Sequence, residues 1–567
     1  MTELEEAPFP YERRLYANLD VDGSAAFVPT LTHASRTDCV ALVLREVNCL
    51  PIVFVPGIMG SNLRIKAGEK GAGNQAWRLD SKGGLAKGQA LKEAGERQSI
   101  LHPARTEVDP GGDVPSDPVG LLRNEKEFRM RGWGEVAAAS YQALLIWLEQ
   151  NFNSQQSEGV DDPTHNRLKQ LLRQIRGTSW DAQKPFEPIT EQEEAAAVRW
   201  SYPVYACGYN WLDSNEEAAK RLAARIGEII GGCQSKWGRC EQVILLTHSM
   251  GGLVARRCAA LAGMAGKIAG VVHGVMPAIG AAVAYRRCKV GMMDETPSNL
   301  IGWGAAKTIG ATGREVTAVF AQAPGALQLL PTQQYRRGWF EIRDSDGQLM
   351  PGLPETDNPY DTIYAERNRW WGLIKEEWLA PKDGVPIKWI DYESARTKAR
   401  DFHLKIKDAY HATTYGFYGT ALPSFEKVCW RLGLGVTKEV GVTQPPPDAS
   451  AVLNRHRSDV VLDGTNPEHL PGPRLSRQVG MRPVETQSFY ELRLMTAADT
   501  GDGTVPESSG RAPLPHVKQL FAVRNIEHES AYQNAQVQQI TAYAIARIAA
   551  QTRLPAGKPA SGHTRSA

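Results

Sequence analysis

Val243-Ile244-Leu245-Leu246-Thr247-His248-Ser249-Met250-Gly251-Gly252-Leu253-Val254-Ala255-Arg256-Arg257 is the stretch that decides the fold. Its first half is an apolar run rich in branched residues, the composition of a strand buried on both faces. Its second half opens on Gly251-Gly252 and continues as Leu253-Val254-Ala255, the start of a helix. Ser249 therefore falls on a tight strand-to-helix turn, the nucleophile elbow, which holds a serine hydroxyl clear of the backbone at a helix N-terminus. The dipole and free N–H groups of that end favour an oxyanion. Small residues two before and two after the serine let neighbouring backbones approach; Gly251 meets that need, and Thr247 stands where glycine is usual. A G-x-S-x-G-like string often arises by chance, so its weight comes from the strand and helix around it.

Upstream, Pro51-Ile52-Val53-Phe54-Val55-Pro56-Gly57-Ile58-Met59-Gly60-Ser61 is an apolar strand running into a glycine-rich loop. Serine acyl transfer needs two backbone N–H donors aimed at the developing oxyanion. One comes from the residue after the nucleophile and the other from the loop after an early strand, so Met250 and Ile58 are the candidates. On its own the segment reads equally well as a buried strand ending in a Gly turn.

Downstream, Phe489-Tyr490-Glu491-Leu492-Arg493-Leu494 alternates like a strand and Thr500-Gly501-Asp502-Gly503-Thr504-Val505-Pro506 follows it. His516 to Val523 looks like another strand, with Asn525-Ile526-Glu527-His528-Glu529-Ser530 as the loop after it. A serine hydroxyl is a poor nucleophile until an imidazole accepts its proton, and a carboxylate must orient that imidazole. The chain order Ser249, Asp502, His528 is the one used by α/β-hydrolases. Taken singly, Asp502 is a turn aspartate with Asp499 as a competitor, and His528 a solvated loop histidine.

At 567 residues the chain is far longer than a bare hydrolase core and must carry insertions. With 42% hydrophobic and 23% charged residues it can bury a large core. A formal net charge of +2 speaks against a nucleic-acid partner. The start, Met1-Thr2-Glu3-Leu4-Glu5-Glu6-Ala7-Pro8, lacks an apolar h-region, so no signal peptide is expected, and no apolar run is long enough to cross a bilayer. Eight scattered cysteines show no metal spacing and read as free thiols of a reducing cytosol, with Cys233 and Cys240 the one pair near in sequence. No D-x-D-x-D-G loop suggests calcium, and the chemistry asks for no metal or organic cofactor.

The expected fold class is α/β, a mostly parallel doubly wound sheet with a large inserted cap or lid. The core is expected over 51–65, 130–285, 315–334 and 485–553, preceded by an N-terminal extension, 1–50. An irregular, glycine- and charge-rich insertion covers 66–129. The apolar, glycine-rich run Leu300 to Ala306 marks 286–314 as a candidate lid. A cap insertion is expected over 335–484, with a helix around His403 to Tyr415, and a disordered tail over 554–567. His273, at the end of the strand Ile268 to Gly274, reads as a packed histidine near the site.

Pro51 to Leu63, the Tyr209-Asn210-Trp211 turn, the Thr247 to Gly251 elbow and Gly501 to Pro506 together resemble the lecithin:cholesterol acyltransferase-like lipases, although Asn210 stands where the acyltransferases carry aspartate. The His-Ser-Met-Gly-Gly elbow is also similar to that of the GPI-inositol deacylase group. His273 to Ala281 and Ala323 to Pro331 resemble bacterial lipase effectors delivered by type VI secretion. That resemblance implies an antibacterial toxin acting at a membrane surface on phospholipid or other lipid esters in the target-cell periplasm. It also implies a cytoplasmic stay in the producer, a cognate immunity protein and a secretion-apparatus carrier. The expected activity is a serine lipase or phospholipase working through an acyl-enzyme. Alternatives are an acyltransferase or housekeeping esterase of the same fold, and a non-catalytic hydrolase-fold module that binds a protein partner.

Overall fold

The computed structural model describes residues 47–78, 93–116, 125–153, 167–234, 238–292, 309–350, 358–436 and 447–555, with the backbone of a few short strands outside those ranges. Its centre is a seven-stranded sheet. The strands are β1 (Ile52–Val55), β2 (Asp181–Ala182), β3 (Val204–Ala206), β4 (Val243–His248), β5 (Ile268–Gly274), β6 (Thr414–Thr420) and β7 (Gln519–Arg524). Their order across the sheet is β2-β7-β6-β5-β4-β1-β3. All neighbours are parallel except β2, which runs antiparallel on β7. Every residue of β1, β3 and β4 is buried, as the unbroken apolar runs require of parallel strands covered on both faces.

The helices that matter for the site are α1 (Ala138–Phe152), α2 (Asn215–Cys233), α3 (Gly251–Ala259), α4 (Val283–Val290), α5 (Gly313–Phe320), α6 (Trp389–Ile406) and α7 (Ala535–Gln551). Ser214 caps α2 by accepting the Glu216 N–H, and Asn534 caps α7 by accepting those of Gln536 and Val537. Helix α7 lies so close to β5 that a Cβ on Gly270 would meet Ile548 at 2.7 Å. Helix α1 is joined to β3 through a buried ion cluster: Glu149 accepts from Arg131 at 3.2 Å and from the Val204 N–H at 3.2 Å, and Arg131 also reaches Glu127 at 2.6 Å.

Several sequence-based boundaries are corrected. The span 335–484 is not wholly a cap, because β6 lies within it, between β5 and β7. Its sequence, Thr-Tyr-Gly-Phe-Tyr-Gly-Thr, has glycines where neighbours press close, which breaks the apolar run that marks the other strands. A Cβ at Gly416 would lie 3.0 Å from the His273 carbonyl oxygen, and one at Gly419 would lie 2.5 Å from the Asp502 Cβ. The helix expected around His403 to Tyr415 is α6, which ends at Ile406.

Conversely, residues 485–494 are not core. Strand Arg482–Leu494 belongs to a separate four-stranded sheet with Phe340–Arg343, Val428–Leu432 and Glu468–Val479. That sheet and a group of buried tryptophans, Trp339, Trp370, Trp371, Trp378 and Trp430, form the cap.

The insertion at 66–129 is more ordered than its composition suggests. Gln75–Trp77 and Thr106–Val108 both pair with Leu63–Ile65, and helix Ala94–Ile100 packs on α5. Within the candidate lid, Arg286, Cys288, Lys289 and Val290 are buried in α4, where Lys289 donates to the carbonyls of Trp370 and Gly372 at 2.8 Å each. Residues 293–308 of that span, Leu300 to Ala306 included, lie outside the described residues, as do most of the N-terminal extension and the tail beyond Pro555. No helix among the described residues is long and apolar enough to cross a membrane.

Candidate active site

The C-terminal ends of β1 and β4 lie side by side, with Thr247 opposite Val55. Beyond β4 the chain turns at once into α3, and Ser249 takes up the turn with φ of 52°. A non-glycine residue in that left-handed region is strained, and the turn is held by its surroundings. The Ser249 N–H donates to the Gly274 carbonyl and its own carbonyl accepts from Gly252, both at 2.9 Å. Gly251 is required by contact, because a Cβ there would sit 2.4 Å from the Val55 carbonyl oxygen. Thr247 needs no such room. Its side chain is buried away from the turn, with Oγ1 at 2.9 Å from His273 Nδ1.

The three sequence-predicted polar residues converge. Ser249 Oγ donates to His528 Nε2 at 2.8 Å, and His528 Nδ1 donates to Asp502 Oδ2 at 2.7 Å. Asp502 is a carboxylate that only accepts, so its bond fixes the imidazole with the proton on Nδ1 and a free pair on Nε2. The other Asp502 oxygen, Oδ1, accepts the N–H groups of Thr504 at 3.0 Å and Val505 at 2.7 Å. Asp499 is not its rival: its carboxylate accepts the Lys427 N–H at 3.2 Å.

Asp502 reaches this position by a return of the chain. After β6, Leu422–Ser424 leads out into the cap sheet, and the chain comes back as Asp499–Gly501, antiparallel to Leu422–Ser424. Much of the cap is thus inserted between the end of β6 and Asp502.

Around the serine, Gly57 approaches so closely that a Cβ would lie 3.0 Å from the Ser249 Cβ. The loop turns through a Gly60 N–H bond to the Gly57 carbonyl at 3.1 Å, and the Tyr209 hydroxyl donates to the Pro56 carbonyl at 2.9 Å. Of the two expected oxyanion donors, Ile58 follows Gly57 in this loop and Met250 is the N-cap of α3. Ser249 is 4% exposed.

His273 is a packed histidine: burial, then the charge of Arg256, pulls its pKa down to about 3. Two residues near the serine carried no role in the sequence reading. His248 is buried against Tyr141, whose hydroxyl lies 3.0 Å from its Nδ1, and its Nε2 lies 2.8 Å from the His528 carbonyl oxygen. Burial, then the charge of His528, brings the His248 pKa down to about 3. The elbow string contains His248, but only the loop contacts reveal what its ring touches.

The model of the alpha/beta hydrolase family matches residues 175–412, which span β2 to the end of α6 and include the elbow. The chain has the α/β-hydrolase fold. Its structure is similar to that in the crystal structure of a Tle4–Tli4 complex, with 27% identity and a TM-score of 0.69, over 89% of this chain and 99% of that one. No curated protein matches the chain. At 89% of this chain, the structural match extends well beyond the residues that the family model covers.

Proposed function

We propose that this protein is a serine phospholipase that acts through an acyl-enzyme and is delivered into rival bacteria as a toxin. The observation that carries the catalytic part is the unbroken hydrogen-bonded line from Ser249 through His528 to Asp502. His528 takes the Ser249 proton as the oxygen attacks the ester carbonyl, and Asp502 stabilises the imidazolium that results. The N–H groups of Ile58 and Met250 receive the oxyanion. Collapse returns the proton from His528 to the leaving alcohol. Water then attacks the acyl carbonyl as His528 takes its proton, and collapse breaks the bond to Ser249 Oγ, which regains that proton from His528 as the fatty acid leaves.

All three groups are held in working register, which favours an enzyme over a non-catalytic binding module. A nucleophile only 4% exposed suits an apolar acyl chain better than a small soluble ester. The effector part rests on the similarity to Tle4, which was crystallised with Tli4. By that similarity a cognate immunity protein binds this chain in the producer and keeps it inactive.

Expression in a bacterium without that partner, with and without an added periplasmic signal, tests the effector reading. Growth arrest is expected with periplasmic routing and should vanish with Ser249→Ala. Harmless periplasmic expression of an enzyme active in lysate would instead mark an ordinary intracellular esterase.

A further inference from the structure

The line of hydrogen bonds around the elbow does not stop at the triad. The Gly57 N–H donates to the Tyr141 hydroxyl oxygen at 3.2 Å, and that hydroxyl lies 3.0 Å from His248 Nδ1. His248 Nε2 lies 2.8 Å from the backbone carbonyl of His528. Each direction follows from chemistry. A carbonyl only accepts, so His248 carries its proton on Nε2 and donates it there. Nδ1 is then a bare acceptor, and the single tyrosine proton goes to it. The tyrosine oxygen is left to accept from Gly57. All polar atoms of the relay are satisfied in one arrangement, and Tyr141 and His248 are 4% and 3% exposed.

We infer that Tyr141 and His248 are positioning residues that couple the oxyanion loop at Gly57 to the backbone of the general base His528. This rests on the proposed esterase reading. Gly57 immediately precedes the expected donor Ile58, so a hydroxyl that anchors the Gly57 N–H sets where the Ile58 N–H points. At the other end, His248 precedes the nucleophile and holds the loop that carries the base. The strut thereby joins Asp502 in setting the distance between the attacking oxygen, its proton acceptor and the oxyanion donors. Van der Waals packing adds to it: Tyr141 lies 4.8 Å from Phe54, centroid to centroid, and a Cβ on Gly60 would collide with the Tyr141 hydroxyl at 2.7 Å. These contacts hold the ring in place when the hydroxyl alone is removed.

The test uses the full chain and a p-nitrophenyl ester, comparing wild type with Tyr141→Phe, His248→Phe, His248→Gln and the Tyr141→Phe/His248→Phe double variant. Tyr141→Phe keeps the ring but removes both hydroxyl bonds. It should lower kcat by about 10- to 100-fold, the cost of leaving a buried partner unpaired, with KM within about twofold. His248→Phe should lose at least as much. His248→Gln keeps an amide N–H for the His528 carbonyl and should recover most of that loss. Because both residues belong to one strut, the double variant should be no slower than His248→Phe alone.

An unchanged kcat in Tyr141→Phe would overturn the inference. So would additive losses in the double variant, or no recovery in His248→Gln while all variants melt at the wild-type temperature. Labelling by a fluorophosphonate, which reports the activated serine, separates the two levels. If wild type labels at Ser249 and the single variants label as fast, the strut is wrong and the esterase reading stands. If wild type neither labels nor turns over any ester, the esterase reading itself fails.

Discussion

Asp502 holds His528 at two points: the carboxylate accepts the ring Nδ1–H at 2.7 Å, and the Asp502 backbone carbonyl accepts the His528 N–H at 2.9 Å. The second bond ties the two loops even when the side chain is altered, so changes to the Asp502 carboxylate read as chemistry more than as folding. Ser249→Ala and His528→Ala should each reduce ester hydrolysis by roughly three to six orders of magnitude. Asp502→Asn should cost about 10³- to 10⁴-fold, because the amide favours the wrong imidazole tautomer. Asp499→Asn should stay within about tenfold, since its carboxylate serves a backbone N–H near the cap. Steady-state rates on one ester, with melting temperatures alongside, check all four. Asp499→Asn worse than Asp502→Asn would move the acid.

Two glycines of the core should respond in opposite directions to the same substitution. Gly251→Ala forces a Cβ to 2.4 Å from the Val55 carbonyl oxygen, so the elbow must shift. Overpacking of this kind costs about 1–3 kcal/mol, and activity should fall with it. Gly227 lies inside α2 with open space where a Cβ would go. Gly227→Ala should stabilise by about 0.5–1 kcal/mol by removing backbone freedom from the unfolded chain. Denaturant melts of the two variants settle the contrast, and a stable Gly251→Ala would refute the packing argument.

Three buried neutral histidines make the fold acid-sensitive. Burial is the main cause at each: the pKa is brought to about 3 in His248, about 3 in His273 and about 4 in His403, where the Nε2–H donates to the Gln328 carbonyl at 2.7 Å. Folded values below the unfolded one mean that their contribution is fully present above about pH 6.5 and is lost as pH falls towards 4 and 3. Near pH 5 the unfolded chain binds about three more protons than the native one at these sites, a slope of about 4 kcal/mol per pH unit from this source. His403→Gln retains a donor for Gln328 and removes one titrating ring. It should flatten the stability–pH slope between pH 6 and 5 by about 1.4 kcal/mol per unit, read from urea melts. An unaltered slope would mean that His403 is protonated in the native state.

The elbow and its partners were legible because catalysis needs particular residue types where chain direction changes, and such residues stand out against apolar strands. Ser249, Asp502 and His528 could each be picked from a loop following a strand. The sheet was less legible. Strand β6 hides behind Gly416 and Gly419, which are small because His273 and Asp502 press on them. The strand Arg482–Leu494 alternates convincingly, yet its register is with Val428–Leu432 in the cap, since alternation shows a half-buried strand and not which sheet buries it. His248 was hidden for a different reason. Its position beside the serine was evident, but its use depends on Tyr141, 107 residues away in the chain.

Substrate form should matter. With Ser249 at 4% exposure and Met250 fully buried, little of the elbow is open to a lipid chain. Turnover of a short p-nitrophenyl ester should therefore be low while the substrate is monomeric and rise once it forms micelles or is offered in vesicles. Equal rates across the critical micelle concentration would argue for a site that is already open.

The most direct measurement of the central claim is mass spectrometry of phospholipid vesicles incubated with purified wild-type protein and with Ser249→Ala. The account predicts that the wild type releases free fatty acid and lysophospholipid in step, and that Ser249→Ala leaves the lipids intact. Intact lipids with a wild-type protein whose Ser249 reacts with a fluorophosphonate, or equal hydrolysis by both proteins, would contradict it.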